Sequence, residues 1–357
     1  MDIQETEKIK VAVLGASGYT GQELVRLLLQ HPHAEIKALT SRSYVGKPFS
    51  QVFPNFKRAT ELICSEASLA ELANLVDLVF LALPHGEACT MITDDILDKT
   101  IVIDLGADFR LKDPAQYKQW YHNEHANPSL IQSASYGLCE LNREQIMARR
   151  LIANPGCYAT CSILSLAPLL MRKLIDPDSI IIDAKSGVSG AGRGLSLNTH
   201  FNETNENFKA YALASHRHTP EIEQELSRAA GREIKLSFTP HLVPMQRGIL
   251  VTAYASLLPA VNAEDLQTAF NDYYGDLQFI RVYDHALEST LLPETRWVTG
   301  SNYCDIGFRV DSRTGRVIVV AALDNLIKGA AGQAIQNMNL LFNFPENAGL
   351  QCLPSFP

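Results

Sequence analysis

The sequence predicts a two-domain α/β protein whose N-terminal half is a doubly wound, Rossmann-type sheet. Three observations carry this. The chain opens on a strand, glycine loop, helix and second strand. Continuous apolar runs follow, the mark of strands buried on both faces of a parallel sheet. The length, 357 residues, suffices for two domains of roughly 150 residues each.

Lys8–Leu14 is the first strand, and Gly15-Ala16-Ser17-Gly18-Tyr19-Thr20-Gly21 is the loop. An apolar helix over Gln22–Gln30 ends at His31-Pro32, and Ala34–Thr40 is the second strand. Glycines here let the backbone approach a pyrophosphate, which then rests on the helix N-terminus. Gly15, Ser17, Gly18, Tyr19, Thr20 and Gly21 are therefore expected to hold a dinucleotide. The spacing is GxxGxxG rather than GxGxxG, so position between strand and helix strengthens the reading. The second strand ends in Thr40-Ser41-Arg42-Ser43 rather than in an acid. Ser41 and Arg42 suit the 2′-phosphate of NADP, which an acid would repel.

Asp77–Pro84 and Ile101–Leu105 are further buried strands. Pro84 turns the chain at the carboxyl end of the first, where such sheets bind ligands. Arg110 follows the end of the second and is a candidate for a phosphate. Its alternative is an ion pair with Asp108 or Asp113. His122 and His125, near Trp120 and Tyr121, read as a surface segment without a role.

Arg150–Ala153 is a short strand and Tyr158–Lys173 a buried helix, with the turn Asn154-Pro155-Gly156 between them. Cys157 thus falls at a helix start. Unpaired N–H groups and the helix dipole favour an anion there, and the thiolate is the nucleophilic form. The same groups could hold an oxyanion. The plainer alternative is a small buried hydrophobe, the reading given to Cys161 one turn on.

From Ser179 the composition changes. The strand Ile180–Ala184 leads into Lys185–Gly194, a mobile, anion-friendly loop carrying Ser186, Gly187 and Arg193. Ser215-His216-Arg217-His218 precedes a helix from Glu221, with Pro220 in its first turn. Either histidine could serve as acid or base near neutral pH. A metal site of His216, His218 and Glu221 is a rival, as are capping histidines. Ser237–Pro244 and Gly248–Leu257 are antiparallel strand candidates around Met245–Gly248, and Val317–Ala322 is the last strong strand. Asp324–Gly332 then leads into a helix ending near Phe342, its small residues suited to close approach of a backbone or cofactor.

The net charge of -8 argues against a nucleic-acid face, although not against a local basic pocket. Hydrophobic residues at 46% and charged residues at 20% are ordinary for a globular chain. Met1–Lys10 is polar, which argues against a signal peptide, and no apolar run reaches the ~18 residues of a membrane span. Seven cysteines without CxxC spacing suit a reduced, cytoplasmic compartment.

Seven stretches, GASGYTG (15–21), DLGADFR (104–110), NPGCYAT (154–160), KSGVSGAGR (185–193), HRHTPEIEQEL (216–226), HLVPMQRGI (241–249) and DNLIKGAAGQAIQNMN (324–339), resemble the N-acetyl-gamma-glutamyl-phosphate reductases, cousins of the aspartate-semialdehyde dehydrogenases. Gly106 stands where Ser is expected in many relatives. The resemblance implies reversible NADP-dependent conversion of N-acetylglutamyl 5-phosphate to N-acetylglutamate 5-semialdehyde in arginine biosynthesis. It implies an NADP-binding domain over 1–156, completed by the C-terminal helix within 325–357. An α+β domain over 157–324 then serves substrate and oligomer contacts, in a homodimer or homotetramer. Cys157 matches the nucleophile and His216 its acid/base partner, with His218 close by. Pro84, Ser186, Gly187 and Asn325 join the cofactor contacts, Asn325 at the nicotinamide amide. Arg110, Arg193, His218 and Glu221 are the implied substrate contacts. Rivals are a reductase of aspartyl or N-acetyl-aminoadipyl phosphate, since one CH₂ discriminates by only about 1–3 kcal/mol, a zinc hydrolase, and a non-catalytic NADP sensor.

Overall fold

The computed structural model describes residues 8–287 and 290–356. Residues 1–7, which hold most of the polar N-terminal stretch, lie outside the described part. The chain divides into two compact units. The first runs to Pro155 and regains Ala330–Gln351; the second is Gly156–Gly329 with Cys352–Pro357. Against the sequence-based boundaries, residues 325–329 and 352–357 therefore fall in the second unit. The longer helices are α1 (Tyr19–Leu28), α2 (Pro114–Tyr121), α3 (Cys139–Met147), α4 (Cys157–Met171), α5 (Thr219–Ala230), α6 (Ala263–Tyr274) and α7 (Gly332–Leu341).

The first unit is built on an all-parallel sheet of β1 (Ile9–Leu14), β2 (Ala34–Thr40), β3 (Cys64–Ser65), β4 (Leu78–Leu81), β5 (Ile101–Asp104), β6 (Ala134–Tyr136) and β7 (Leu151–Ala153). Their order is β3-β2-β1-β4-β5-β7-β6. β4 is buried at all four positions, as its unbroken apolar run requires. The order reverses between β1 and β4, the switch point where doubly wound sheets bind ligands. The Gly15 loop leaves β1 there. Helix α7 returns to this unit on amide side chains rather than on apolar ones alone. Asn339 Nδ2 donates to the carbonyls of Glu346 and Ala348, and its Oδ1 meets His31 Nε2 at 2.9 Å. Gln333 and Asn337 both donate to the Gly137 carbonyl.

The second unit is a seven-stranded mixed sheet of β8 (Ile181–Gly187), β9 (Lys209–Ala210), β10 (Ser237–Val243), β11 (Ile249–Ser256), β12 (Ile280–Val282), β13 (Cys304–Asp311) and β14 (Arg316–Leu323), in the order β12-β13-β14-β11-β8-β10-β9. β10 and β11 do not form the hairpin that their spacing suggests. β8 lies between them, parallel to β10 and antiparallel to β11. The Met245–Gly248 turn therefore spans a strand instead of closing a pair. Residues alternate strictly along β11, with Ile249, Val251, Ala253 and Ala255 buried.

Helix α4 packs on β11 and β14 and is buried from Tyr158 to Leu170. Pro168 within it cannot donate to the Leu164 carbonyl. The Tyr274 hydroxyl of α6 supplies the missing donor at 2.9 Å. Among the described residues, no helix is long and apolar enough to cross a membrane.

Candidate active site

Cys157 is the first residue of α4, with Gly156 as its extended N-cap (φ -71°, ψ 148°). Its side chain is partly exposed, whereas Cys161 is fully buried and its thiol is held well above the usual range, first by burial and then by Cys304. The backbone N–H of Gly156 donates to Glu221 Oε1 at 2.8 Å. Glu221 is wholly buried, so its carboxylate ties the first turn of α5 to the start of α4. Its Oε1 is thus engaged with backbone rather than open to a ligand. It also occupies one N–H group that could have served an oxyanion, and its charge suits the positive end of the helix dipole. Opposite the thiol, a Cβ built on Gly329 would stand 2.7 Å from Cys157 Cβ. Only a residue without a side chain fits there.

His216 precedes α5 and is partly buried. Burial first, and then Arg217, push its imidazole down to about 4. Its Nδ1 accepts the backbone N–H of His218 at 3.1 Å, which leaves the proton of the neutral ring on Nε2. Nε2 lies 3.4 Å from the Tyr211 hydroxyl, and Tyr211 donates to Tyr158 at 3.3 Å. The Tyr158 hydroxyl donates to the His241 carbonyl at 3.0 Å. Burial raises both phenols, Tyr211 to about 12, and the charge of a Cys157 thiolate would add to both effects. The His218 ring stands 4.9 Å from that of His216, centroid to centroid. Among the described residues no group of three or more His, Cys, Asp or Glu is placed to hold a metal, so the His216–His218–Glu221 metal site is not assembled.

The loop after β8 is anchored rather than mobile over its first half. Gly187, Val188 and Ser189 donate to the carbonyls of Gly248, Met245 and Gln246. A Cβ on Gly187 would meet the Gln246 carbonyl oxygen at 2.7 Å. Asn325 binds this loop to the next one: its Oδ1 accepts from Gly248 N and its Nδ2 donates to Ser189 Oγ. Ser186 is buried beside Tyr158, and Arg193 is exposed farther along.

In the first unit the glycine loop is packed too closely against the backbone for side chains at Gly15 and Gly21. Gly15 has φ +79°, and a Cβ on it would fall 2.3 Å from the Ala82 carbonyl oxygen. A Cβ on Gly21 would fall 2.3 Å from the Gly15 carbonyl oxygen. α1 starts at Tyr19, earlier than the sequence suggests, so Tyr19, Thr20 and Gly21 form its first turn after the Gly18 N-cap. Ser41 donates to Ser17 at 2.9 Å. Arg42 is exposed and meets both carboxylate oxygens of Glu87. Pro84 is exposed just after β4.

Arg110, the candidate phosphate contact, lies beneath the turn before Cys157. It is 4% exposed, and its Nε and Nη2 donate to the carbonyls of Asn154 and Leu105. A guanidinium so engaged braces the turn that leads to Cys157. His125 is not on the surface either: it is buried, with Nε2 on the Asp108 carbonyl at 2.8 Å.

The comparisons with known proteins agree with this architecture. Residues 10–149 match the semialdehyde dehydrogenase NAD binding domain, and residues 157–325 match the semialdehyde dehydrogenase dimerisation domain. N-acetyl-gamma-glutamyl-phosphate reductase from Lachnospira eligens is 55% identical over 98% of this chain and 100% of its own length. The chain belongs to the N-acetyl-gamma-glutamyl-phosphate reductase family. The reductase of the same name from Pelotomaculum thermopropionicum is 54% identical over 96% of this chain and 97% of its own. In fold, this reductase-family chain is similar to aspartate semialdehyde dehydrogenase II of Vibrio cholerae. That match has a TM-score of 0.70 at 18% identity, covering 95% of this chain and 99% of that one. The aspartate semialdehyde dehydrogenase of Candida albicans, solved with NADP, gives 0.63 at 21%, over 94% and 99%.

Within the family frame, Tyr158 and Tyr211 are the site residues that sequence reasoning passed over, while Gly329 makes the close approach its small-residue stretch suggested. Only Tyr158 had a local signal, as the neighbour of Cys157.

Proposed function

We propose that the chain reduces N-acetyl-L-glutamyl 5-phosphate to N-acetyl-L-glutamate 5-semialdehyde with NADPH, releasing phosphate, as a step of arginine biosynthesis. The observation that carries this is 55% identity, end to end, with a relative named for that activity. The nucleophile is the Cys157 thiolate at the positive end of α4. It attacks the acyl carbon and expels phosphate, leaving a thioester on Cys157. NADPH, when bound, supplies the hydride that this carbon receives. Collapse of the resulting thiohemiacetal returns the thiolate and frees the aldehyde. His216 is assigned the proton transfer, with His218, whose ring lies 4.9 Å away, as the alternative.

The residues of the first unit fit the cofactor. Gly15 and Gly21 let the loop pack tightly on β4 and on itself, the N–H groups of Tyr19, Thr20 and Gly21 at the start of α1 suit an anion, and Ser41 and Arg42 suit a 2′-phosphate. Pro84, Ser186, Gly187 and Asn325 remain assigned to the cofactor. Asn325 keeps one amide hydrogen beyond the one given to Ser189. Arg193 and His218 are assigned to the substrate; Arg110 and Glu221 are assigned to bracing.

We assign a homo-oligomer, a dimer or tetramer, with contacts built on the second unit. One face of its sheet carries helices. The other presents Ile181, Tyr254 and Ile318 in one row and Asp183, Thr252 and Val320 in the next, all incompletely buried. Such a face gains by meeting a second copy. A reducing cytoplasm suits a working thiolate and seven cysteines without a disulfide.

The test is phosphate-dependent NADP reduction with N-acetylglutamate 5-semialdehyde, run beside aspartate semialdehyde. Faster turnover of the N-acetylglutamate compound supports the reading; preference for the aspartate compound overturns it.

A further inference from the structure

The hydrogen-bond chain at His216 has only one possible polarity. At one end, the His218 backbone N–H can only donate, so Nδ1 accepts and Nε2 carries the hydrogen. At the other end, the His241 carbonyl can only accept, so Tyr158 donates to it. Tyr158 has one hydrogen and has given it away; it must accept from Tyr211. Tyr211 has likewise given its hydrogen, and only its lone pairs face His216 Nε2. Each link fixes the next.

We infer that Tyr211 is a positioning residue that holds His216 in one ring orientation with its hydrogen on Nε2. The proposal rests on the functional reading given above. Tyr211 does not shuttle protons, because the chain ends on a carbonyl that can neither supply nor absorb one. With the tautomer set by the His218 N–H, Tyr211 accepts the Nε2 hydrogen and fixes where it points, and so keeps the ring from turning.

A second observation supports the same role. Between Tyr211 and His216 the backbone takes left-handed conformations at Ala212 (φ 46°) and Ala214 (φ 52°). Alanine rarely adopts them, and such strain gathers where function dictates geometry. Here the bent segment brings the two rings to 5.5 Å, centroid to centroid, at 73°. A relaxed connection would not need two such residues.

Tyr211→Phe keeps the ring and removes the oxygen. His216 Nε2–H then becomes a donor without its acceptor, which favours a turned ring or the other tautomer. Full-length protein labelled with ¹⁵N-histidine should show wild-type His216 as a single neutral tautomer, protonated on Nε2. In Tyr211→Phe that signal should give way to a mixture, and kcat should fall about tenfold with KM unchanged. Tyr158→Phe keeps the Tyr211 oxygen beside His216 and should retain the single tautomer. A wild-type ring protonated on Nδ1, or a Tyr211→Phe variant with unaltered tautomer and kcat, would overturn the proposal. An inactive wild type would instead fault the functional reading, and the tautomer would still judge Tyr211.

Discussion

His216 illustrates how one side chain's surroundings set its chemistry. Its ring lies among Tyr158, Tyr211, His218 and Phe238. Burial there disfavours the charged form, and the neighbouring Arg217 adds to this. The folded state consequently binds fewer protons than the unfolded state between pH 6.5 and about 4. Stability should therefore fall as pH drops through that window, by roughly 3 kcal/mol in total. His216→Asn should flatten this part of the curve in urea titrations taken at pH 7, 6 and 5. A variant as acid-sensitive as wild type would assign the loss to other groups. Asp104 acts with the opposite sign. Burial first, then Asp108, lift its carboxyl to about 7. Gly106 is the residue that fits beside it, because a Cβ there would stand 2.8 Å from Asp104 Oδ1. The one visible departure from the family pattern thus has a local steric setting.

At the scale of elements, legibility followed locality. The glycine loop, the buried strands and the helix start at Cys157 each lie within about ten consecutive residues, and hydrophobic pattern and turn chemistry report on such spans. β10 and β11 run antiparallel, as expected, but do not pair directly, because β8, some fifty residues before β10, lies between them. Arg110 and Glu221 looked like ligand contacts, since a charged residue beside a functional motif reads the same whether it braces backbone or binds substrate. Only their partners, the Asn154 carbonyl and the Gly156 N–H, tell the two apart. Gly329 belongs to this scale too, for it lets the segment after β14 lie against α4. Gly329→Ala would push a Cβ into Cys157. Turnover should drop by about 10²-fold, the size of effect that a misplacement near 1 Å produces, while melting temperature changes modestly. Full activity in this variant would mean that the thiol tolerates displacement.

For the whole molecule, the two units divide the work. A parallel sheet carries the glycine loop at its switch point, and a mixed sheet carries the thiol on the helix that covers it. Val320→Glu would place a charge among Thr252, Gly307 and the rest of the other face of that mixed sheet. Where that face is the interface, light scattering should report a smaller assembly than wild type, because burying an unpaired carboxylate costs several kcal/mol. A variant that keeps the wild-type assembly would move the interface elsewhere.

The central claim is that Cys157 carries the acyl group between loss of phosphate and reduction. Mixing the protein with N-acetylglutamyl 5-phosphate in the absence of NADPH isolates that moment, and rapid acid quench with peptide mass spectrometry reads it. The account predicts one N-acetylglutamyl group on the peptide containing Cys157, none on Cys161, and none in Cys157→Ser. Full NADPH-dependent turnover in Cys157→Ser, or acylation at any other residue, would contradict it.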